Sequence, residues 1–210
     1  MRVLVACEFS GVVRRAFRAR GHDAWSCDLL PAEDGDRHHL LADVRAILAG
    51  TAWDLMIAHP PCTYLNNAGA WAFTDGPYHQ KVKPGTLVGA ARRQARAEAY
   101  EFFMELWNAS IPKICIENPT GSMSTLWRPP DQCVQPWQFG DDASKATCFW
   151  LKGLPSLQYT DVLPGGRKAR RANQTPSGQN KLPPSEKRAR LRGITYPGIA
   201  AAMSAQWGQQ

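Results

Sequence analysis

The 210-residue sequence has no apolar run long enough to cross a bilayer, and none of its six cysteines forms a C-x-x-C pair. No cysteine or histidine spacing supports a zinc site, so no metal is expected. A disulfide framework is not expected in a chain of this size. Four cysteines lie in apolar, strand-like runs that are typical of small buried side chains: Cys7, Cys27, Cys115 and Cys148. The apolar stretch at the N-terminus is too short for a signal-peptide core, which predicts a cytoplasmic protein.

Most of the chain has almost no net charge. The formal net charge is +7, yet residues 163–192 alone contain nine bases and one acid, so the remainder is nearly neutral. A concentrated basic segment suits a partner that carries phosphate, although a solvated loop without a partner can have the same composition. The residues predicted to contact phosphate are Arg167, Lys168, Arg170, Arg171, Arg188 and Arg190.

Short apolar runs alternate with segments of helical periodicity along the chain. Strands are predicted at 2–6, 23–27, 54–58, 113–116 and 147–151, and helices at 11–21, 44–48, 90–107 and 197–207. This alternation predicts an α/β fold with a mostly parallel sheet covered by helices on both faces. We expect one domain over residues 1–210, with a mobile, Pro-, Gly- and base-rich loop at 160–192.

Chemically reactive or polar residues follow four of the predicted strands. They are the Glu8-Phe9-Ser10-Gly11 run, Asp28, Pro61-Cys62 and Glu117-Asn118. In open parallel sheets the ligand binds beyond the carboxyl ends of the strands. The clustering of these residues at one edge of the sheet therefore predicts an enzyme.

Cys62 and Glu117 form the most specific pair among these residues. Two prolines stiffen the turn before Cys62, and a thiolate held there could act as a nucleophile. Glu117 follows an apolar run, and partial desolvation would favour its protonated form. A thiolate can add to an electron-poor ring while such a carboxyl group protonates a ring nitrogen. An inert loop cysteine and a capping or salt-bridged carboxylate are the plain alternatives.

Taken in order, these residues resemble the motifs of the DNA (cytosine-5)-methyltransferases, including the shortened members found in bacteriophages. Pro60-Pro61-Cys62 matches the nucleophile motif and Glu117-Asn118-Pro119 the motif of the acid partner. The region of Lys145 and Thr147 is similar to a motif that places two arginines before a strand. The closing motif resembles residues 195–200. The target-recognition region of that family shrinks here to about residues 160–192.

The resemblance implies a Rossmann-like fold that binds S-adenosylmethionine. The implied cofactor-binding residues are Phe9, Ser10, Gly11, Asp28, Asp43, Pro60 and Tyr196. It also implies methylation of cytosine carbon 5 through an adduct with Cys62, with Glu117 protonating nitrogen 3. Asn118 would orient the loop that carries Cys62, and Lys145 would bond the carbonyl at position 2 of the base.

Three other functions compete with this one. The same chemistry could act on a free cytosine nucleotide instead of single- or double-stranded DNA. A non-enzymatic nucleic-acid-binding protein would account for the basic segment but not for Cys62 and Glu117. An amino-methylating enzyme would normally place an aromatic residue where Cys62 stands.

Overall fold

The computed structural model describes residues 1–50, 52–183 and 185–209. Within these residues seven strands form one sheet. They are β1 (Arg2–Ala6), β2 (Asp23–Asp28), β3 (His39–Leu41), β4 (Leu55–Ala58), β5 (Lys113–Asn118), β6 (Gln132–Val134) and β7 (Thr147–Lys152). The α-helices are α1 (Val12–Arg18), α2 (Val44–Leu48), α3 (Gly89–Trp107), α4 (Met123–Leu126), α5 (Glu186–Gly193) and α6 (Pro197–Trp207). Short 3₁₀ helices lie at Asn67–Phe73, Pro136–Gln138 and Gly166–Lys168.

The strand order is β3-β2-β1-β4-β5-β7-β6. Strands β1 to β5 pair in parallel, whereas β7 is antiparallel to both β5 and β6. The sheet is therefore mostly parallel and Rossmann-like, which confirms the predicted fold class. The chain proceeds outward from β1 to β3 and then returns to β4 on the other side of β1. This reversal places a crevice between the carboxyl ends of β1 and β4, where ligands bind in such folds.

Side chains of β1 alternate between two hydrophobic layers. Val3 and Val5 pack with α1 and α6, whereas Leu4 and Ala6 pack with α3 on the opposite face. The first layer also contains the buried side chains of Phe17, Met203 and Trp207, and the second contains Phe103, Leu106 and Trp150. Helices thus cover both faces of the sheet. No helix in the described part of the chain has the length and apolar character to span a membrane.

Strand β5 is longer than its apolar run predicts. It continues through Glu117 and Asn118, which pair with Phe149 and Cys148 of β7. Both polar residues are consequently held by the sheet ladder and do not lie in the following loop. The carboxyl end of β5 is therefore a rigid support for its side chains.

The interpretation of Cys148 as a small unpaired buried side chain was wrong. Cys133 and Cys148 face each other in the register of β6 and β7 and are joined by a disulfide. Cys148 is buried as expected, and the structure leaves Cys7, Cys27, Cys62 and Cys115 free. Cysteine spacing could not reveal this pair because an antiparallel register brings the two residues together across 15 positions.

The basic segment contains defined structure that its composition does not predict. Gln174 bridges to Asn180, a 3₁₀ turn lies at Gly166–Lys168, and α5 occupies Glu186–Gly193. The expected mobile loop is thus partly a set of anchored turns and a helix. These anchors determine which of its bases face solvent.

Candidate active site

Glu8 lies just beyond β1 and caps the first turn of α1. Its carboxylate accepts hydrogen bonds from the backbone N–H of Val13 at 2.7 Å and of Arg14 at 3.3 Å. The Ser10 hydroxyl also donates to it, at 3.4 Å. Burial raises the pKa of Glu8, and nearby His59 opposes that shift. The motif that begins at Glu8 therefore first stabilises the start of a helix.

Position 11 requires glycine because neighbouring side chains of the protein leave no room for a Cβ atom. It has φ +67°, and a Cβ there would come within 2.5 Å of the Arg14 guanidinium and 2.8 Å of the Asp34 carboxylate. Arg14 is fully buried and donates to the Ser26 hydroxyl at 2.8 Å and to Asp34. Sequence reasoning missed this buried arginine because its partners lie in β2 and in the loop that follows it.

Two predicted cofactor-binding carboxylates lie around the end of β1. Asp28 is the last residue of β2, and Asp43 caps α2 by accepting from the Arg45 N–H at 2.9 Å. Burial is the main cause that raises the pKa of Cys7 to about 12, and the charges of both aspartates add to it. Asp28 and Asp43 are thus near neighbours of the same residue. The adjacent Leu29 side chain is 73% exposed and offers an apolar surface beside them.

Phe9 is covered on one face by a basic side chain from α5. The Arg190 guanidinium lies 4.9 Å from the centre of the Phe9 ring, and it also pairs with Glu33 at 3.1 Å. The basic segment at 163–192, predicted to contact the phosphate of the substrate, thus touches Phe9 of the motif that is predicted to bind the cofactor.

The loop that carries Cys62 is tied to β5 before the cysteine and to α4 after it. Asn118 donates from Nδ2 to the Pro60 carbonyl at 3.1 Å. After the cysteine, the Ser122 N–H donates to the Leu65 carbonyl at 2.7 Å. These bonds place Asn118 where it would orient the loop.

Glycine at position 121 permits the second of these contacts. A Cβ on Gly121 would collide with the Leu65 carbonyl, and the adjacent Asn66 forms an isolated bridge with Gly121. The turn is closed further by Asn66, which donates from Nδ2 to the Cys62 carbonyl at 2.7 Å. Close backbone approach, which only glycine allows, thus fixes the far side of the Cys62 loop.

Glu117 lies between two cationic or donor groups at the end of β5. His59 Nδ1 is 3.2 Å from Oε2, and Lys145 Nζ is 3.9 Å from Oε1. Burial alone would raise the pKa of Glu117, but Lys145 and His59 outweigh it and lower the pKa to about 2. The expectation of a protonated carboxyl group was therefore wrong for this state of the protein, because Glu117 is ionised at neutral pH.

The Cys62 thiol has the opposite tendency. Burial raises its pKa, the charge on Glu117 raises it further, and Lys145 and Arg192 partly offset these effects. Cys62 is therefore a thiol beside a carboxylate at neutral pH. The Asn118 bond to the Pro60 carbonyl ties the Cys62 loop to the strand end that carries Glu117, which agrees with this electrostatic effect.

Glu117 contributes to the lining of a small cavity. Lys145, Thr147, Thr195 and Tyr196 contribute to its lining, and its volume of about 10 Å³ suits roughly one water molecule. The Tyr196 hydroxyl accepts a hydrogen bond from Asn173 Nδ2 at 3.2 Å. Tyr196, predicted for the cofactor pocket, thus lines a cavity together with Glu117 at the carboxyl end of β5. Pro60 likewise supports the Cys62 loop through its carbonyl group.

The six bases predicted to contact phosphate fall into two groups. Arg167, Lys168 and Arg170 are exposed. The other three are engaged by the protein: Arg171 by backbone carbonyls and Asp142, Arg188 by the Leu182 carbonyl, and Arg190 by Glu33 and Phe9. The prediction that Arg171 contacts phosphate was wrong. This residue is only 6% exposed, so it anchors the segment and is not positioned for a phosphate contact.

Arg171→Ala is expected to lower the free energy of unfolding by about 1–3 kcal/mol. The substitution leaves the carbonyl groups of Pro164 and Gly166 without their guanidinium donor, and it removes the stacking on Trp137. Urea denaturation measures the change. The matched control is exposed Arg170→Ala, for which we expect less than about 0.5 kcal/mol. Equal effects of the two substitutions would contradict the anchoring role.

Two residues near the reactive pair were not singled out from the sequence. His59 bonds to Glu117, and its position directly before Pro60-Pro61-Cys62 was the only available signal. Arg192 acts electrostatically on both Cys62 and Tyr196, although it is hidden in sequence among many other bases.

No protein-family model matches the chain, and no curated protein matches it. Solved structures that it resembles include an rRNA methylase from Escherichia coli, at 15% identity and a TM-score of 0.39, over 72% of this chain and 56% of the other. They also include a mutant of DNMT2 from Spodoptera frugiperda, at 14% identity and a TM-score of 0.41, over 78% of this chain and 55% of the other. The chain thus spans little more than half the length of either protein. At these identities the likeness concerns the fold alone.

Proposed function

We propose that this protein transfers a methyl group from S-adenosylmethionine to carbon 5 of cytosine in DNA, with Cys62 as the nucleophile. One observation carries the proposal. The loop that carries Cys62 is bonded to Asn118, the neighbour of Glu117 at the end of β5, and Lys145 Nζ lies 3.9 Å from the Glu117 carboxylate, although 83 positions separate Cys62 from Lys145. A thiol, a carboxyl group and an ammonium group at one partly buried edge of the sheet provide a nucleophile, an acid–base group and a donor for a carbonyl oxygen.

The residues at the ends of β1 and β2 fit the proposed cofactor. Asp28 would bind the ribose hydroxyls, Asp43 the adenine amino group, and Phe9 a face of the adenine ring. The exposed Leu29 side chain beside Asp28 adds an apolar surface that suits a purine. When bound, the cofactor supplies an electrophilic methyl group. The crevice between β1 and β4 is the expected place for it, since the strand order reverses there.

Because Cys62 carries a proton and Glu117 does not, the first step needs no proton from outside the site. The Cys62 proton passes to Glu117 and from there to cytosine N3, while sulfur forms a bond to C6. The base then carries one added proton and has an electron-rich C5 that can accept the methyl group. Afterwards the C5 proton leaves to water, the C6–S bond breaks, and the N3 proton returns to the pair through Glu117. Lys145 would donate to the oxygen at position 2 of the base throughout.

Transfer of labelled methyl groups tests the substrate and the chemistry together. The protein is incubated with labelled S-adenosylmethionine and with duplex DNA, single-stranded DNA or cytidine monophosphates. We expect label in DNA at C5 of cytosine, weak discrimination between sequences, and affinity that falls steeply with salt. Absence of label from all three substrates, at protein concentrations where the cofactor binds, would contradict the proposed function.

A free cytosine nucleotide is the second candidate substrate. Its supporting observation is that three of the six predicted phosphate ligands are engaged by the protein itself. One or two exposed bases suffice for a single phosphate group, and the salt dependence would then be shallow. Label in the monophosphate and in neither form of DNA would favour this candidate and leave the roles of Cys62 and Glu117 unchanged.

A further inference from the structure

His59 is a buried titratable residue that the proposed chemistry does not yet use. It directly follows β4, and its N–H donates to the Ala6 carbonyl at 2.9 Å, which extends the pairing of β1 with β4 by one residue. Its side chain is 7% exposed. The backbone of His59 is therefore fixed by the sheet, and its imidazole is enclosed near the ends of three neighbouring strands.

The contact with Glu117 has a defined direction. Because the Glu117 carboxylate is ionised it can only accept, so His59 Nδ1 donates to Oε2 over 3.2 Å. The other oxygen, Oε1, has no hydrogen-bond partner within the described chain and is 3.9 Å from Lys145 Nζ. The two oxygens thus have different surroundings: Oε2 accepts from His59, whereas Oε1 is buried near Lys145 without a hydrogen bond.

The remaining ring nitrogen of His59 is buried and forms no hydrogen bond with any described residue. Two carboxyl groups act on the ring, Glu117 from β5 and Glu8 from the end of β1. Glu8 is held by the amides of α1, and Glu117 interacts in turn with Lys145 and Cys62. The bond to Glu117 is the one hydrogen bond that the ring forms in the described structure. The geometry therefore connects His59 with the orientation of the Glu117 carboxylate.

We propose that His59 is a positioning residue that turns the Glu117 carboxyl group so that Oε1 meets cytosine N3. This inference rests on the proposed function. The donor at Oε2 also stabilises the ionised form of the carboxylate. Loss of the donor frees the carboxyl group to rotate, and misplacement of a reacting group by about 1 Å can cost roughly 100-fold in rate.

Replacing His59 by Asn or by Gln distinguishes the position of the hydrogen-bond donor from the size of the side chain. In His59→Asn the amide nitrogen can take the place of Nδ1, whereas in His59→Gln it lies closer to the place of Nε2. We expect kcat of His59→Asn to stay within about tenfold of the original protein, and kcat of His59→Gln to fall by about 100-fold with a smaller change in KM. Thermal unfolding of both variants verifies that each is folded.

A second measurement does not require activity. The chain has seven glutamates, so the Glu117 carboxyl carbon can be followed by NMR with ¹³C-labelled glutamate and assigned with Glu117→Gln. The pKa of Glu117 is expected to remain low in His59→Asn and to rise in His59→Gln, because only the latter loses the donor at Oε2. An unchanged Glu117 titration in His59→Gln would overturn the inference, as would equal kcat in the two variants. Should the original protein methylate none of the substrates, the titration still decides the role of His59 separately.

Discussion

Cys62→Ala is expected to abolish methyl transfer while leaving the affinity for S-adenosylmethionine nearly unchanged. The thiol is the group that would form the covalent bond to C6, and no other described side chain in the site offers sulfur at that position. Phe9, Asp28 and Asp43, which would hold the adenosine part of the cofactor, follow β1, β2 and β3, and none of the contacts proposed for them needs the thiol. Label transfer measures the first quantity and calorimetry the second.

Cys27→Ala is the matched control for this substitution. Cys27 is a buried free cysteine of β2 whose thiol donates to the Ala42 carbonyl, so its loss costs stability but removes no reactive group. We expect that variant to transfer methyl groups at a rate close to that of the original protein. Turnover by Cys62→Ala at the original rate would exclude the covalent mechanism.

Glu117→Gln is expected to lower the rate of methyl transfer by roughly two to four orders of magnitude, as removal of a general acid does. The same change should make the Cys62 thiol more reactive. The Glu117 charge raises the pKa of Cys62, so its removal lowers that pKa and increases the thiolate fraction at neutral pH. The two effects have opposite signs, and because unfolding would also expose the thiol, thermal unfolding is measured to verify that the variant is folded. Alkylation of Cys62 by iodoacetamide between pH 7 and 10 measures the second effect.

Glu105→Gln provides the control for the loss of a carboxylate. Glu105 is an exposed residue of α3 that pairs with Arg45, away from the reactive pair. Neither methyl transfer nor the alkylation rate of Cys62 should change in that variant. Slower alkylation of Cys62 in Glu117→Gln than in the original protein would contradict the assigned electrostatic coupling.

The fold was largely predictable because its central elements have strong local patterns. The apolar runs of β1, β4 and β5 and the helical periodicity of α3 and α6 are each evident within their own segments. Strands β3 and β6 were missed because they have only three residues each, and such elements depend on neighbours in the sheet. The same dependence on register concealed the disulfide of Cys133 and Cys148.

The sequence predicts that Cys62 and Glu117 follow neighbouring strands, but it does not predict the ionisation of Glu117. Strand ends that meet at one edge place Cys62 close to Glu117, and local sequence carries that information. The charge state of Glu117 depends on Lys145 and His59, which lie 28 and 58 positions away along the chain. Sequence showed that Glu117 would be buried but not that two partners would outweigh the burial. For the same reason, composition alone could not separate buried Arg171 from exposed Arg170.

The two ties of the Cys62 loop have a consequence for the time course of a reaction at this site. The Asn118 bond to Pro60 and the close contact of Gly121 with Leu65 join the loop to the elements that flank Glu117. The proposed nucleophile and the proposed acid–base group are therefore carried by elements that are already bonded to each other when the chain folds, and bringing these elements together costs no further entropy at each turnover. A turnover at this site then needs no slow closing of the loop over the acid, and the rate of the chemical step should be insensitive to solvent viscosity.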